Sequence, residues 1–216
     1  MSRARLVVLA SGGGRTLENL QEQILAGRLD AEIVLVVLSK SGLGAEQRAT
    51  RLGLPVVIIG KESHPDRSER DQALLAALDA AAPDLVLMAG WLQLLPIPER
   101  YEGKVLNIHP SLLPAYGGRG FYGHHVHEAV ARDRQPISGC TVHFATEAYD
   151  EGPIVLQEAV LLPADAEPDA IAALVFAAEC RAYPDAVRAI LAGEARWVAG
   201  QVCWSETAAD GLSRSR

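Results

Sequence analysis

Asn107 and His109 stand two residues apart in Leu106-Asn-Ile-His-Pro110, and residues two apart in an extended strand project to the same side. An amide beside an imidazole suits chemistry at a carbonyl, because both can donate to an oxygen that becomes negative. The imidazole can also take or give a proton near neutral pH. Pro110 ends the strand, so the pair falls at a strand's carboxyl end, where open α/β sheets place their sites. Taken alone, Asn-x-His is a weak signal that reads by default as a hydrogen-bonded structural histidine; its place ahead of Pro110-Ser-Leu-Leu-Pro114 moves the reading toward chemistry. Ser111 lies outside any Gly-x-Ser-x-Gly elbow, and no cysteine has an adjacent base, so one bound substrate attacking another is the simpler scheme. Asp150, in the turn Tyr149-Asp-Glu-Gly-Pro153, is a loop former by itself. Beside the Asn-His pair it becomes a third candidate, whose charge would favour the imidazolium and raise the His109 pKa.

A second constellation is Ser11-Gly-Gly-Gly14, between a first apolar run and a first helical one. There a parallel sheet offers backbone N–H groups and a helix N-terminus to an anion, and glycines allow close approach. A dinucleotide fits poorly, because the third glycine of Gly-x-Gly-x-x-Gly is replaced by Leu17, and Ser39-Lys40 occupies the place of a ribose-binding acid. No Gly-Lys-Ser/Thr follows, which excludes a nucleoside triphosphate loop. A single phosphate is the expected ligand, with Arg15 and Arg67 as candidate cationic partners, although by position alone each is an ordinary solvated charge. His124 and His127 share a three-residue spacing that metal sites use, but no Cys or acidic ligand stands close by, so no metal is expected.

These groups need a scaffold. Leu6–Ala10, Ile33–Leu38, Val56–Ile59 and Leu85–Ala89 are continuous apolar runs, as expected of strands covered on both faces. Helical spacing fills the intervals after Gly14, over Ala45–Leu52 and over Arg67–Ala81. The order β-α-β-α-β-α-β implies an α/β fold with a doubly wound, mainly parallel sheet. Val105–His109 is a further strand, Pro114–Gly123 a loop and His125–Arg132 a short helix. Cys140–Phe144 and Ile154–Val160 are expected to form a hairpin, and Pro168–Leu191 a long helix broken or kinked at Pro184. The chain reads as one domain: residues 1–104 a phosphate-binding half, 105–200 a catalytic half and 201–216 a polar tail.

The 216 residues are 49% hydrophobic and 22% charged, which excludes disorder as the main state. Three widely spaced cysteines exclude a disulfide framework and fit a reducing compartment. The net charge of −7 opposes a general nucleic-acid surface. No apolar run spans a bilayer, and Leu6–Ala10 is too short for a signal peptide core, so a cytoplasmic protein is expected.

Across nearly its whole length the chain resembles the glycinamide ribonucleotide formyltransferases, folate-dependent enzymes of purine biosynthesis. The match is carried by Ser11-Gly-Gly-Gly14, Ala82-Pro-Asp-Leu-Val-Leu-Met-Ala-Gly90, Asn107-Ile-His-Pro-Ser-Leu-Leu-Pro114, Gly139-Cys-Thr-Val-His-Phe144, Asp150-Glu-Gly-Pro153 with Gln157, and Glu179 ahead of Tyr183-Pro184. The resemblance implies a formyltransferase fold with a C-terminal hairpin and long helix, and Asn107, His109 and Asp150 as the catalytic trio. It implies that Gly14, Arg15, Thr16 and Arg67 hold the ribonucleotide phosphate and that Glu179 binds the glycinamide amine end. Leu92, Gln93, Leu94 and Leu95, with Thr146, Glu147, Ala148 and Tyr149, would line the pocket for 10-formyltetrahydrofolate, the co-substrate. Two departures stand out: Arg15-Thr16 replaces the family's Ser-Asn or Thr-Asn, and Gly117–His125 is longer than usual. The partners implied are small molecules, without nucleic acid or membrane, in a monomer or homodimer. A methionyl-tRNA formyltransferase would carry a further C-terminal domain, and a formyltetrahydrofolate hydrolase an N-terminal regulatory one. The hydrolase, which would use water as acceptor, or another formyltransferase of the same fold is the alternative, and a non-catalytic phosphate-ligand sensor a weaker one.

Overall fold

The computed structural model describes residues 2–205. Its strands are β1 (Ala4–Ala10), β2 (Ala31–Leu38), β3 (Val56–Ile58), β4 (Leu85–Met88), β5 (Val105–His109), β6 (Ile137–Phe144), β7 (Ile154–Leu161), β8 (Ala195–Val198) and β9 (Gln201–Trp204). The helices are α1 (Arg15–Leu25), α2 (Gly44–Arg51), α3 (Arg67–Ala81), α4 (His124–Arg132) and α5 (Pro168–Leu191). Seven strands form one sheet in the order β3-β2-β1-β4-β5-β6-β7, and β8-β9 is a separate hairpin. From β3 to β5 the pairing is parallel; β5-β6 and β6-β7 are antiparallel.

Strand β1 shows why the sheet is covered twice. Leu6, Val8 and Ala10 enter a core shared with α1, α2, α4 and α5, whereas Val7 and Leu9 enter a second core with α3, Trp91 and Tyr101. Alternate residues of a strand point to opposite faces, so a wholly apolar run requires an apolar layer on each side. Helix α3 starts where the sequence predicts it, because the Asp66 carboxylate accepts from Glu69 N–H at 2.9 Å. The chain steps outward from β1 through β2 to β3 and then crosses back to β4. That reversal opens a crevice at the strands' carboxyl ends.

Two expectations are revised. Helix α5 runs through Pro184 as one helix of 24 residues. Proline lacks the N–H that would reach the carbonyl four residues earlier. Here the carbonyl of Cys180 accepts instead from Asn19 Nδ2 of α1, at 3.0 Å, so the interruption is satisfied by a neighbouring helix. Residues 201–204, expected in the polar tail, form β9 and pair with β8; the remainder of that tail, 206–216, lies outside the described residues. Among the described residues no helix is long and apolar enough to cross a membrane.

Candidate active site

The expected trio is assembled. Asn107 and His109 leave the same side of β5, and Asp150 reaches them from the turn between β6 and β7. Its two oxygens divide: Oδ2 lies 3.4 Å from His109 Nδ1 and accepts from Gly118 N–H at 2.9 Å, while Oδ1 faces Asn107 Nδ2 at 3.4 Å. Asp150 holds this position with a φ of +58°, a left-handed conformation that aspartate tolerates better than most residues. The other His109 nitrogen, Nε2, donates to the Tyr116 carbonyl at 2.8 Å, so Nδ1 carries a proton toward Asp150 only when the ring is charged. Behind it, Thr141 Oγ1 donates to the Ser111 carbonyl at 2.7 Å and accepts from Leu113 N–H at 3.0 Å. Gln157 donates to the Leu113 carbonyl at 3.0 Å. The Pro-Ser-Leu-Leu-Pro segment is therefore pinned to β6 and β7, which gives that string its mechanical purpose.

His143 has no role that the Gly139–Phe144 string reveals by itself. Antiparallel pairing sets His143 directly opposite Asn107. Its Nδ1 donates to the Phe144 carbonyl at 2.9 Å, leaving Nε2 to accept from Asn107 Nδ2 at 3.1 Å. The two Asn107 amide hydrogens are thus shared between a good hydrogen bond to His143 and a long one to Asp150. The register of a strand not yet placed was the missing signal.

Charge at His109 departs from expectation. Burial lowers its pKa below the usual imidazole value, outweighing Asp150 and the Tyr116 carbonyl, which pull the other way; His143 adds to the lowering. Asp150 therefore acts in the expected direction but does not dominate, because the ring is only 4% exposed and a buried charge loses its hydration. For Asp150, burial works to raise the pKa, yet His143, His109 and Gly118 N–H together bring it below its ordinary value.

Three cavities surround these groups. One is lined by the trio, His143, the residues Trp91–Leu95 after β4, the turn residues Thr146, Ala148 and Tyr149, and the glycine-rich loop Gly118–Gly123. It gathers the residues expected to form the folate wall except Glu147, which is exposed and lies off it. In the same wall Trp91, unassigned in the sequence reading, is 6% exposed, with its indole N–H unpartnered among the described residues. Trp91 also belongs to the core on the α3 side of the sheet.

The second cavity lies across β5. Gly12, Gly13, Gly14, Arg15, Thr16 and Glu179 line it with His124, His127 and Phe176. Gly14 sits at φ +81° as the N-cap of α1, and a Cβ there would meet Ala45 Cα at 2.6 Å, so only glycine fits. Burial pushes the Glu179 carboxyl up to about 7, with Arg15 opposing. Both cavities reach Gly90, Ile108, Pro110 and Gly123, and they meet where β5 ends.

Arg67 is not with the glycine loop. It stands at the first turn of α3, on the opposite face, and lines a third cavity with Lys61, Arg70 and Asp71. That cavity continues the first one through Leu92, Gln93, Leu94 and Tyr149. The doubly wound order sends α1 and α3 to different faces, so a cation at the start of α3 cannot serve the loop before α1. Among the described residues, no group of three or more His, Cys, Asp or Glu could hold a metal ion.

Comparison with known proteins agrees with this fold. A model described as formyl transferase matches residues 4–187. The chloroplastic phosphoribosylglycinamide formyltransferase of Arabidopsis thaliana is 36% identical over 198 residues, covering 90% of this chain and 68% of that protein. The trifunctional purine biosynthetic protein adenosine-3 of Gallus gallus is 36% identical over 206 residues; the match takes in 94% of this chain and 20% of that protein. Among solved structures, glycinamide ribonucleotide transformylase 1 from Symbiobacterium toebii aligns with a TM-score of 0.86 at 30% identity, covering 95% of each chain.

Proposed function

The chain belongs to the formyl transferase family, and on that premise we propose that it transfers the formyl group of 10-formyltetrahydrofolate to the amine of glycinamide ribonucleotide, a step of purine biosynthesis. The observation that carries this reading is the meeting of two chemically different cavities at Asn107 and His109. One is walled by apolar and backbone groups and continues into a cationic recess; the other has a glycine loop, a helix N-terminus and a carboxylic acid. The first suits a flat heterocycle with an anionic tail, in which Lys61 and Arg67 meet the folate carboxylates. The second suits a phosphate monoester bearing an amine, with backbone N–H groups of Gly14, Arg15 and Thr16 toward the phosphate and Glu179 toward the amine end.

In this reading the amine nitrogen attacks the formyl carbon, and the carbonyl electron pair moves onto oxygen. Asn107 Nδ2 turns one hydrogen from its long Asp150 contact to that oxygen, while the bond to His143 keeps the amide in place. His109 takes up the proton that the attacking amine loses; the negative charge building beside it offsets the cost of charging the buried ring, and Asp150 stabilises the imidazolium until the proton passes on. The tetrahedral carbon then releases the folate nitrogen, which receives the proton lost by the amine, and the oxygen re-forms its double bond. Catalysis here is electrostatic preorganisation plus proton movement, and no covalent enzyme intermediate is required.

Mixing the protein with 10-formyltetrahydrofolate, with and without glycinamide ribonucleotide, and following the folate spectrum tests the reading. Turnover that requires the ribonucleotide is expected. Equal turnover without it identifies water as acceptor and overturns the assignment, and silence in both mixtures removes the catalytic role. A cytoplasmic site of action, and a monomer or homodimer acting on small molecules alone, complete the proposal.

A further inference from the structure

His127, in the first turn of α4, is 6% exposed, and its Nδ1 is enclosed without a hydrogen-bond partner. Nε2 has no hydrogen-bond partner among the described residues either. Folded proteins seldom leave a buried polar ring unpaired, because its lost hydration is uncompensated. The ring lines the glycine-loop cavity, where two more features point to an anion. Helices α1 and α4 both begin there, and neither N-cap, Gly14 nor Gly123, supplies a side-chain hydrogen bond. Arg15 stacks its guanidinium 3.9 Å over the Phe176 ring; its charge reaches Glu179, but among the described residues no carboxylate lies within ion-pair distance of it.

We infer that His127 is a ligand of the phosphate group in this cavity, opposite Arg15 and the glycine-loop backbone, and that it takes up a proton from solvent as the dianion binds. The identity of the phosphate monoester rests on the function proposed above; the anion site rests on the cavity alone. Titratable groups around the ring support the coupling. Burial, then His124 on its own helix, Arg15 on α1 and His109 on β5 push His127 down to about 4. Glu179 on α5 is the acid lining the cavity, and burial pushes it up to about 7, so below that pH it brings little charge to His127. Asp169 approaches only the exposed His124, at 3.9 Å. A bound dianion would be the missing countercharge, and its arrival shifts an imidazole upward by about two units. The site would then favour a dianionic monoester over a diester or a carboxylate, because a single charge repays less of the cost of protonating a buried ring.

Sulfate is a suitable probe, since it stays dianionic across the relevant pH range, and glycinamide ribonucleotide is the second. Titration calorimetry of the full chain with each, in buffers of different ionisation enthalpy between pH 6 and 7, measures protons taken up. Uptake on sulfate binding is expected, lost in His127→Gln and retained in His124→Gln, with sulfate affinity at pH 6 falling about tenfold in the first variant. Should His127→Gln fail to fold, the His127 ring resonances of the wild-type protein provide the same test, with an upward pKa shift on saturation expected. Absence of proton uptake by the wild-type protein, unchanged uptake in His127→Gln, or an unmoved His127 titration overturns the inference. Sulfate-linked uptake without ribonucleotide-dependent turnover would remove the proposed function and leave the anion site standing.

Discussion

Replacing Asp150 by Asn isolates the charge that opposes burial at His109. At 3.4 Å between Nδ1 and Oδ2, two unit charges interact by about 5 kcal/mol at an effective dielectric near 20. If the imidazolium is fully formed at the rate-limiting barrier, that sets a ceiling of about 5,000-fold on the loss in kcat. Part of the interaction survives. The new amide can keep its oxygen toward Gly118 N–H and aim its nitrogen toward His143 Nε2, where the carboxylate oxygen lies 3.6 Å away. Asn107 then loses its claim on His143 as acceptor. The expected result is a fall in kcat of about 10²- to 10³-fold. KM for the ribonucleotide should be nearly unchanged, because its cavity does not include Asp150. The sign at His109 is also fixed: Asp150 raises its pKa against burial, so the variant must titrate still lower. Steady-state kinetics and NMR titration of the imidazole measure both. A kcat within threefold of wild type, or a His109 pKa that rises, would refute the charge pairing.

Two further substitutions probe the flanking cavities. Gly14→Ala should lose at least about 2 kcal/mol in urea unfolding, since it combines a left-handed residue with a backbone collision, and ribonucleotide affinity should fall with it. Gly13→Ala, with nothing within 4 Å of its Cβ, is the control, and equal effects would disprove the steric argument. Arg67→Ala should raise KM for the folate about threefold at low salt with kcat preserved, a difference that fades as salt screens the exposed cation. A raised KM for the ribonucleotide instead would return Arg67 to the phosphate.

What the sequence exposes and what it hides divide along physical lines. The strands β1, β2 and β4 are legible because burial on both faces demands continuous apolar runs, and β5 because Pro110 must end it. Asn107 and His109 share a side by period two alone. Asp150 becomes a candidate only beside the Asn-His pair, and its role comes from the resemblance, since nothing local tells a turn aspartate from one that reaches a histidine. His143 is invisible until β6 is registered against β5. Arg67 misleads for a related reason: its charge is correctly found beside a cavity, but the face of the sheet is set by winding order, which no single residue carries. No break occurs at Pro184, and the carbonyl it abandons is satisfied by Asn19, 161 positions away.

The placement of the trio follows from where the sheet changes character. Between β1 and β5 all strands run parallel, so their carboxyl ends and the helix N-termini that follow collect at one edge, and that edge suits anions. Parallel neighbours, however, reach one another only through crossover helices, and their side chains at that edge point into loops of different lengths. Antiparallel β6 adds what the parallel half lacks, a residue set opposite Asn107 by the ladder itself, followed by a short turn that returns a carboxylate to the strand it has just paired. A formyl donor and a phosphorylated acceptor need two different environments within bonding distance. Strand β5, parallel to β4 on one side and antiparallel to β6 on the other, is the one strand of the seven that borders both.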